Sequence, residues 1–306
     1  MKYAIISDIH GNYPALRAVL KDAEGYGAEK YIFLGDFTNS LPFQNEVVDA
    51  VRALPNVTAI RGNHEDYLIE AKEIAPDAEV PGMYLPILWS CRRHSPGNLD
   101  YLVNLPANVR TDEGLFLSHS MDLIFRRERM QPFHSDYFRE RMTSTPFTHE
   151  EYLQFAAEEM RSCEDVMAEV RALPKAVHLF GHNHLQFHVE IEGRLFLNPG
   201  SCGFSLNSDT RAAYTILEIT NKNRSVYSIT ERRVDYDLTE VLDAIEASGF
   251  AGDIPEWTPI MTKQLQIAFD CFAPFVNHMT STAEKLGIEN HMDNAVWREA
   301  VSTYEY

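Results

Sequence analysis

The feature that most constrains the fold of this chain is a set of five short apolar runs that end abruptly in glycine or polar residues. The runs are rich in β-branched and aromatic residues, which is typical of buried strands. Helical patterns lie between several of them, for example after the cap candidate Asn12 and at 45–54. This alternation predicts a layered α/β core. The predicted strands are YAIIS (3–7), YIFL (31–34), VTAI (57–60), LFLS (115–118) and AVHLF (176–180).

The second half of the chain begins with a helical pattern and then changes to strands. Residues 150–173, EEYLQFAAEEMRSCEDVMAEVRAL, have the period of one long amphipathic helix. After residue 184 the pieces FHVEI, RLFLN, AAYTILEIT and RSVYSITERRV predict antiparallel strands and hairpins. From about residue 237 the pattern is helical again. We therefore expect an α/β domain followed by C-terminal helices.

Charge and cysteine usage exclude several classes of protein. The chain has 27 Lys and Arg against 45 Asp and Glu, a formal net charge of −18, so specific nucleic-acid binding is not expected. None of the 4 cysteines forms a C-x-x-C pair, which argues against zinc fingers and redox pairs. The apolar run at the N-terminus is too short for a signal peptide, and the sequence has no apolar stretch of membrane-spanning length. We expect a cytoplasmic protein with reduced thiols and no membrane contact.

Each of the five predicted strands is followed by Asp, Asn or His, residue types that commonly bind metals. Taken singly, these are ordinary turn or cap residues, and a lone histidine is commonly a core or loop residue. Ligands in layered α/β folds bind outside the carboxyl ends of the strands, so the five ends together predict one metal site. Oxygen and imidazole ligands without thiolate suit manganese, iron, zinc or nickel, and a bridging carboxylate holds two cations about 3.5–4 Å apart. The residues are Asp8, His10, Asp36, Asn63, His64, His119, His182 and His184.

The order of these motifs resembles a known family. D-x-H, G-D, G-N-H-E, a later strand-end His and G-H-x-H are the motifs of the calcineurin-like metallophosphoesterases, and they span roughly residues 1–200. NEVVDAVRALPNVTAIRGNHE and LNPGSCG are similar to the bacterial YfcE-like phosphodiesterase branch, which includes some diadenosine polyphosphate hydrolases. The resemblance implies a four-layer α/β/β/α sandwich over residues 1–235. We expect an inserted helical cap at about 121–172 and a C-terminal helical extension, 236–306, packed on the domain.

The resemblance also implies a role for each motif residue. Asp36 would bridge two metal ions, and His64 would protonate or stabilise the leaving oxygen. A metal-bridging hydroxide would attack a phosphodiester or a dinucleoside polyphosphate. A phosphomonoesterase, or a non-catalytic interaction scaffold like a retromer subunit of this fold, is the alternative. The implied partner is a small phosphoester, and a homo-oligomer is left open. The first metal would be held by Asp8, His10, Asp36 and His184, and the second by Asp36, Asn63, His119 and His182.

The sequence departs from the family pattern at two positions near the expected site. The family usually has His-Gly where this chain has His119 followed by Ser120. Some members have an Asp that orients the catalytic His at the position of Asn39. Glu65 or Asp66 could replace that carboxylate, but both are equally suited to the first turn of a helix.

Arginine residues are the candidates for binding substrate phosphates. The segment 121–152 is rich in Arg and aromatic residues, and Arg126 and Arg127 would meet the substrate from a cap. The alternative for this segment is a solvated helix surface, since acidic residues balance its charge. Arg61 either contacts phosphate or forms a salt bridge at the end of its strand.

Overall fold

The computed structural model describes residues 1–75, 78–120, 148–220 and 227–305, and the strands within these ranges form a pair of five-stranded sheets that lie face to face. The first sheet has the order β10-β9-β1-β2-β3, and the second has the order β4-β5-β6-β8-β7, with the bounds given next. The strands are β1 (Lys2–Ile6), β2 (Lys30–Phe33), β3 (Val57–Ala59), β4 (Asn108–Arg110), β5 (Leu115–Ser118), β6 (Val177–Leu179), β7 (Gln186–Ile191), β8 (Arg194–Pro199), β9 (Ala212–Ile219) and β10 (Tyr227–Val234).

Strand pairing combines three parallel strands with two antiparallel additions in each sheet. In the first sheet β1, β2 and β3 are parallel, while β9 and β10 add on antiparallel. In the second sheet β5, β6 and β8 are parallel, and β4 and β7 are the antiparallel edge strands. The five predicted strands are confirmed as β1, β2, β3, β5 and β6. The predicted antiparallel pairs are confirmed as β7 with β8 and β9 with β10.

Helices of the described ranges pack on the outer faces of the sheets and, toward the C-terminus, against one another. They are α1 (Tyr13–Gly25), α2 (Gln44–Ala53), α3 (Asn63–Lys72), α4 (Leu85–Arg93), α5 (Pro96–Val103), α6 (His149–Ser162), α7 (Glu164–Ala172), α8 (Leu238–Ala247), α9 (Phe250–Asp253), α10 (Thr258–Ile267), α11 (Phe272–Leu286) and α12 (Asn294–Thr303), with a 3-10 turn at Gly82–Tyr84. Within the described ranges, no helix is both long enough and apolar enough to cross a membrane.

The alternation of side chains along the strands divides the core into layers. Ile5 and Ile32 of the first sheet pack with Leu117 and Leu179 of the second in the space between the sheets. Their chain neighbours in β1 and β2 point the other way and pack on α1 and α2. Because successive strand residues face opposite sides, each sheet buries both of its faces. The predicted α/β/β/α sandwich is confirmed.

The predicted single helix at 150–173 is wrong, because two helices occupy this range. Cys163 has extended backbone angles (φ −92°, ψ 102°), so α6 ends before it and α7 begins after it. Both helices pack on the outer face of the second sheet, against Phe180, Phe187 and Phe196. This portion of the expected cap is therefore a layer of the sandwich. The rest of the cap, residues 121–147, lies outside the described residues, and the domain boundaries stay a prediction.

The C-terminal helices form a separate core that reaches the loops of the first sheet. Trp257, Phe275 and Trp297 pack with one another at ring-centroid distances of 5.4 Å for each pair that includes Trp297. Leu41, from the loop after β2, and Phe204, from the loop after β8, are buried in the same cluster. These helices therefore support two loops that follow strand ends.

Candidate metal centre

The side chains that follow the five predicted strands converge at one edge of the sandwich. Backbone hydrogen bonds join the loops there, from Gly181 N–H to His119 O (2.9 Å) and from Asp8 N–H to Gly35 O (3.1 Å). Three overlapping groups have their ligand atoms within 4.8 Å of one another. The groups are Asp8, His10 and His184; His10, Asp36 and His64; and Asp36, His119 and His182.

The first group points three ligand atoms at one another. His10 Nε2 lies 3.1 Å from His184 Nε2, and His184 Nε2 lies 3.4 Å from Asp8 Oδ1. His184 Nδ1 donates a hydrogen bond to the carbonyl of Phe204 at 2.6 Å, so its Nε2 carries the lone pair that faces the group. An outer carbonyl that fixes the tautomer in this way is typical of histidines that bind metals.

The group of Asp36, His119 and His182 is built in the same manner, around the amide oxygen of Asn63. His119 Nδ1 donates to the carbonyl of Leu34 at 2.6 Å, while its Nε2 lies 3.0 Å from Asn63 Oδ1. His182 Nδ1 lies 2.9 Å from the same oxygen of Asn63. The backbone N–H of His182 donates to Asp8 Oδ1 at 3.1 Å, which joins this group to the first.

Asp36 lies between the two groups. Its Oδ2 is 3.8 Å from His10 Nε2 and 3.2 Å from His119 Nε2. Its other oxygen, Oδ1, accepts the backbone N–H of His64 at 2.9 Å, which fixes the carboxylate plane. One carboxylate oxygen therefore faces ligand atoms of both groups, and the bridging role that the family resemblance implies for Asp36 stays a prediction.

The electrostatics of this edge favour cations. Burial raises the pKa of Asp8, with His184 opposing it. Burial also opposes ionisation of Asp36, but His119 and His64 outweigh it and hold the pKa of that carboxyl well below its ordinary value. Burial lowers the pKa of His119, but Asp36 outweighs this and raises it to about 10. Buried carboxylates thus draw positive charge to the positions that the ligand atoms surround, and the oxygen and imidazole donors are of the types that bind metal ions.

Five of these residues hold a backbone conformation that L-residues rarely adopt. The φ angles of Asp8, His10, Asp36, His182 and His184 are 53°, 53°, 55°, 72° and 60°. Each left-handed non-glycine residue costs on the order of 1–3 kcal/mol, and such residues cluster at functional sites. Glycine at these positions would avoid the conformational cost. The presence of Asp and His there therefore indicates that their side chains are needed.

Two glycines allow the loops after β2 and β3 to approach each other. A Cβ at Gly35 (φ 98°) would lie 2.7 Å from Gly62 Cα and 2.8 Å from His119 Nδ1. A Cβ at Gly62 would lie 2.8 Å from the backbone nitrogen of Asp36. Any larger residue at either position would push Asp36 and His119 apart.

Glu65 has a role that the sequence did not reveal. Its buried carboxylate accepts the N–H groups of Gly62 (2.8 Å), Asp36 (2.9 Å) and Phe37 (2.9 Å). Burial and the charge of Asp36 raise the pKa of this carboxyl to about 7. Glu65 therefore ties the two ligand loops together and does not partner the ring of His64. The only sequence signal is its capping-box position, three residues after the helix cap.

His64 lies at the open side of the centre. Its side chain is 23% exposed, against 6% for His119 and 9% for His184. Asn39 Nδ2 donates to the backbone carbonyl of His64 at 2.6 Å, so it anchors the chain at this residue, while Nε2 of the ring lies 4.0 Å from Asp36 Oδ2. His64 Nδ1 is buried with no hydrogen-bond partner among the described residues.

Of the three arginines predicted to bind substrate phosphates, the structure describes Arg61. Arg61 Nε donates to Asp66 Oδ1 at 2.7 Å and Arg61 Nη1 to the carbonyl of Leu105 at 2.9 Å. The salt bridge at the strand end is therefore the arrangement in this structure, and phosphate binding by Arg61 stays a prediction. Asp66 is occupied by the same salt bridge and does not partner His64. Arg126 and Arg127 lie outside the described residues.

The two-sheet sandwich and its metal-binding edge are those of a phosphoesterase fold. The family model of the calcineurin-like phosphoesterase superfamily domain matches residues 1–222, and the chain belongs to this superfamily. The superfamily predicted from the ordered motifs is thus confirmed.

Individual relatives support the same fold. An uncharacterised protein of Methanocaldococcus jannaschii, MJ0912, is 28% identical over 273 residues, which are 83% of this chain and 94% of that protein. A metallophosphoesterase from Sphaerobacter thermophilus has 20% identity and a TM-score of 0.60, and covers 88% of this chain and 99% of its own. The hypothetical protein PH1004 from Pyrococcus horikoshii has 19% identity and a TM-score of 0.62, and also covers 88% of this chain and 99% of its own. The assignment to the YfcE-like branch rests on the sequence motifs.

Proposed function

We propose that the protein is a metal-dependent hydrolase that cleaves a phosphodiester or a dinucleoside polyphosphate. The observation that carries this proposal is the position of Asp36, whose Oδ2 faces His119 Nε2 at 3.2 Å and His10 Nε2 at 3.8 Å. A carboxylate shared by two ligand groups is the arrangement that two-metal phosphoesterases use. The cofactors would be two divalent or trivalent ions of manganese, iron, zinc or nickel.

In this proposal different side chains bind the metals and transfer the proton to the leaving oxygen. Two bound metals would lower the pKa of water and offset the negative charge of the phosphoester. The chain orients the ligands through backbone acceptors, at Leu34 for His119 and at Phe204 for His184. The first metal is assigned to Asp8, His10, Asp36 and His184, and the second to Asp36, Asn63, His119 and His182.

We assign to His64 the role of protonating or stabilising the leaving oxygen. Its Nε2 lies 4.0 Å from Asp36 Oδ2, and its ring stands edge-on to the ring of His10 at 4.6 Å. The imidazole is therefore next to both ligand groups and partly exposed, and a leaving oxygen would depart beside it. A positioned general acid contributes about 10²–10⁴-fold to the rate.

The preference for diesters and dinucleoside polyphosphates rests on the motifs shared with the YfcE-like branch. A panel of bis-p-nitrophenyl phosphate, p-nitrophenyl phosphate and diadenosine tetraphosphate separates the diester, monoester and polyphosphate activities. The panel is run with protein loaded with manganese, iron, zinc or nickel, and with protein treated with a chelator.

The decisive comparison uses two histidine variants. His64→Ala removes the assigned acid, while His188→Ala removes a surface histidine that is 44% exposed and paired with Glu231. We expect turnover to fall by about 10²–10⁴-fold in the first and to remain in the second. Absence of turnover on the whole panel with every metal would refute the enzyme and leave the interaction scaffold as the function.

A further inference from the structure

The side chains of the candidate metal centre differ in their exposure to solvent. The carboxylates of Asp8 and Asp36 are 0% and 2% exposed, and the side chain of His64 is 23% exposed. Tyr67 lies one helical turn after Asn63 on α3, and 37% of its surface is exposed. Tyr67 is therefore a partly exposed aromatic side chain beside the partly exposed His64.

Tyr67 is held in place by contacts with the site. Its ring centroid lies 5.6 Å from that of His64, with an angle of 60° between the ring planes. Burial raises the pKa of the Tyr67 phenol, and a side-chain hydrogen bond with Asn63 opposes this rise. The phenol end is therefore tied to a candidate metal ligand, while the ring stays beside His64 and is partly exposed.

The charge near Tyr67 favours an uncharged aromatic group over a second phosphate. Glu70 lies three residues after Tyr67 on the same helix, and Asp36 Oδ2 lies 4.0 Å from Nε2 of the His64 ring that Tyr67 contacts. An additional anionic group at this flank would be repelled by these acids. A fixed tyrosine ring offers a flat apolar face at low cost in conformational entropy, and bases stack on such faces regardless of their identity.

We propose that Tyr67 is the stacking platform for a nucleobase, so that the substrate is a phosphoester with a nucleoside on the leaving-group side of His64. This inference rests on the proposed function and adds the substrate class and the residue that selects it. Tyr67 takes no part in bond cleavage in this proposal. It acts through binding, and the test is a binding measurement.

The test compares ligands that share a phosphate and differ in the aromatic ring. Adenosine monophosphate and ribose 5-phosphate are titrated by calorimetry into the full-length manganese-loaded protein. We expect the nucleotide to bind roughly 5- to 100-fold more tightly. Phenyl phosphate against methyl phosphate forms the second arm. A gain there equal to that of the nucleotide assigns the platform to any aryl ester and overturns its assignment to nucleobases, and a smaller gain supports that assignment.

Three variants connect the preference to this residue. Tyr67→Ala should bind the two phosphates with equal affinity, and Tyr67→Phe should keep the preference because the ring remains. Tyr26→Ala is the matched control, since Tyr26 is 38% exposed and lies at the far end of α1. Equal binding of the two ligands by the unmodified protein, or a preference that persists in Tyr67→Ala, overturns the platform.

The outcomes for the inference and for the proposed function are separate. Hydrolysis of diesters together with equal binding of adenosine monophosphate and ribose 5-phosphate refutes the stacking platform alone. Ring-dependent binding that is lost in Tyr67→Ala, without turnover of any phosphoester, refutes the hydrolase and retains a nucleotide-binding site.

Discussion

Replacement of Asp36 by Asn should remove both metals, because one oxygen of this carboxylate faces both ligand groups. Asn can keep the hydrogen bond that Asp36 Oδ1 accepts from the His64 N–H at 2.9 Å. Its Nδ2 would then take the position of Oδ2, which lies 3.2 Å from His119 Nε2 and 3.8 Å from His10 Nε2. An amide NH₂ is a donor and no metal ligand, so it would point protons into both sites.

The size of the effect follows from the linkage between binding and stability. Loss of a group that merely orients a ligand lowers metal affinity by about 10–100-fold, so loss of a shared ligand should cost at least 100-fold at each site. Metal at 100 times its dissociation constant stabilises the protein by about 2.7 kcal/mol per site, and after a 100-fold loss of affinity by about 0.4 kcal/mol. Over two sites the loss is about 4–5 kcal/mol, or roughly 10 °C of the metal-induced rise in Tm.

Three measurements check this prediction on the same samples. Elemental analysis after dialysis should give two metals for the unmodified protein and for His64→Ala, and fewer than one for Asp36→Asn. Thermal unfolding with and without manganese should show the loss of most of the metal-induced shift in Asp36→Asn alone. Turnover should fall at least as far in Asp36→Asn as in His64→Ala. Two tightly held metals in Asp36→Asn, or a milder loss of turnover than in His64→Ala, would contradict a bridged centre.

Three further predictions concern the metal centre and the salt bridge between α1 and β10. Gly62→Ala should lower metal content to less than half, since its Cβ would lie 2.8 Å from Asp36 N, and elemental analysis of soluble, folded variant decides this. Chelator treatment should lower the Tm, by an amount that manganese restores in a concentration-dependent way; a Tm indifferent to both would exclude a metal site. Asp22→Asn should cost about 1–2 kcal/mol in urea unfolding at pH 7, because the carboxylate accepts two hydrogen bonds from Arg232 at 3.0 and 3.1 Å. Arg232 holds the pKa of Asp22 below its usual 3.8, so this stability is present above about pH 4 and lost as the pH falls through the lower folded value. An unchanged difference between the two proteins at pH 7 and pH 3 would contradict the salt bridge.

Interactions between distant segments limited what could be predicted. The interruption of the helix at Cys163 was not predicted, because the apolar pattern of 150–173 continues through it. Only packing on the second sheet separates the two helices. Glu65 was missed as a link between loops, because its acceptor role toward Asp36 and Phe37 depends on how closely the loop after β3 approaches the loop after β2. Phe204 contributes a backbone carbonyl, which no side-chain pattern reveals.

The sequence by itself determined the strands, the α/β class and the set of candidate ligand residues, because these depend on local alternation and on which residue follows each strand. Asp8, Asp36 and His119 could be chosen for that reason alone. The tertiary structure decided what each ligand faces: that Asp36 lies between both groups, and that His64 is the exposed imidazole beside Tyr67. These properties depend on distances between strand ends that are far apart in the chain, and only the packing of the two sheets and their loops sets those distances.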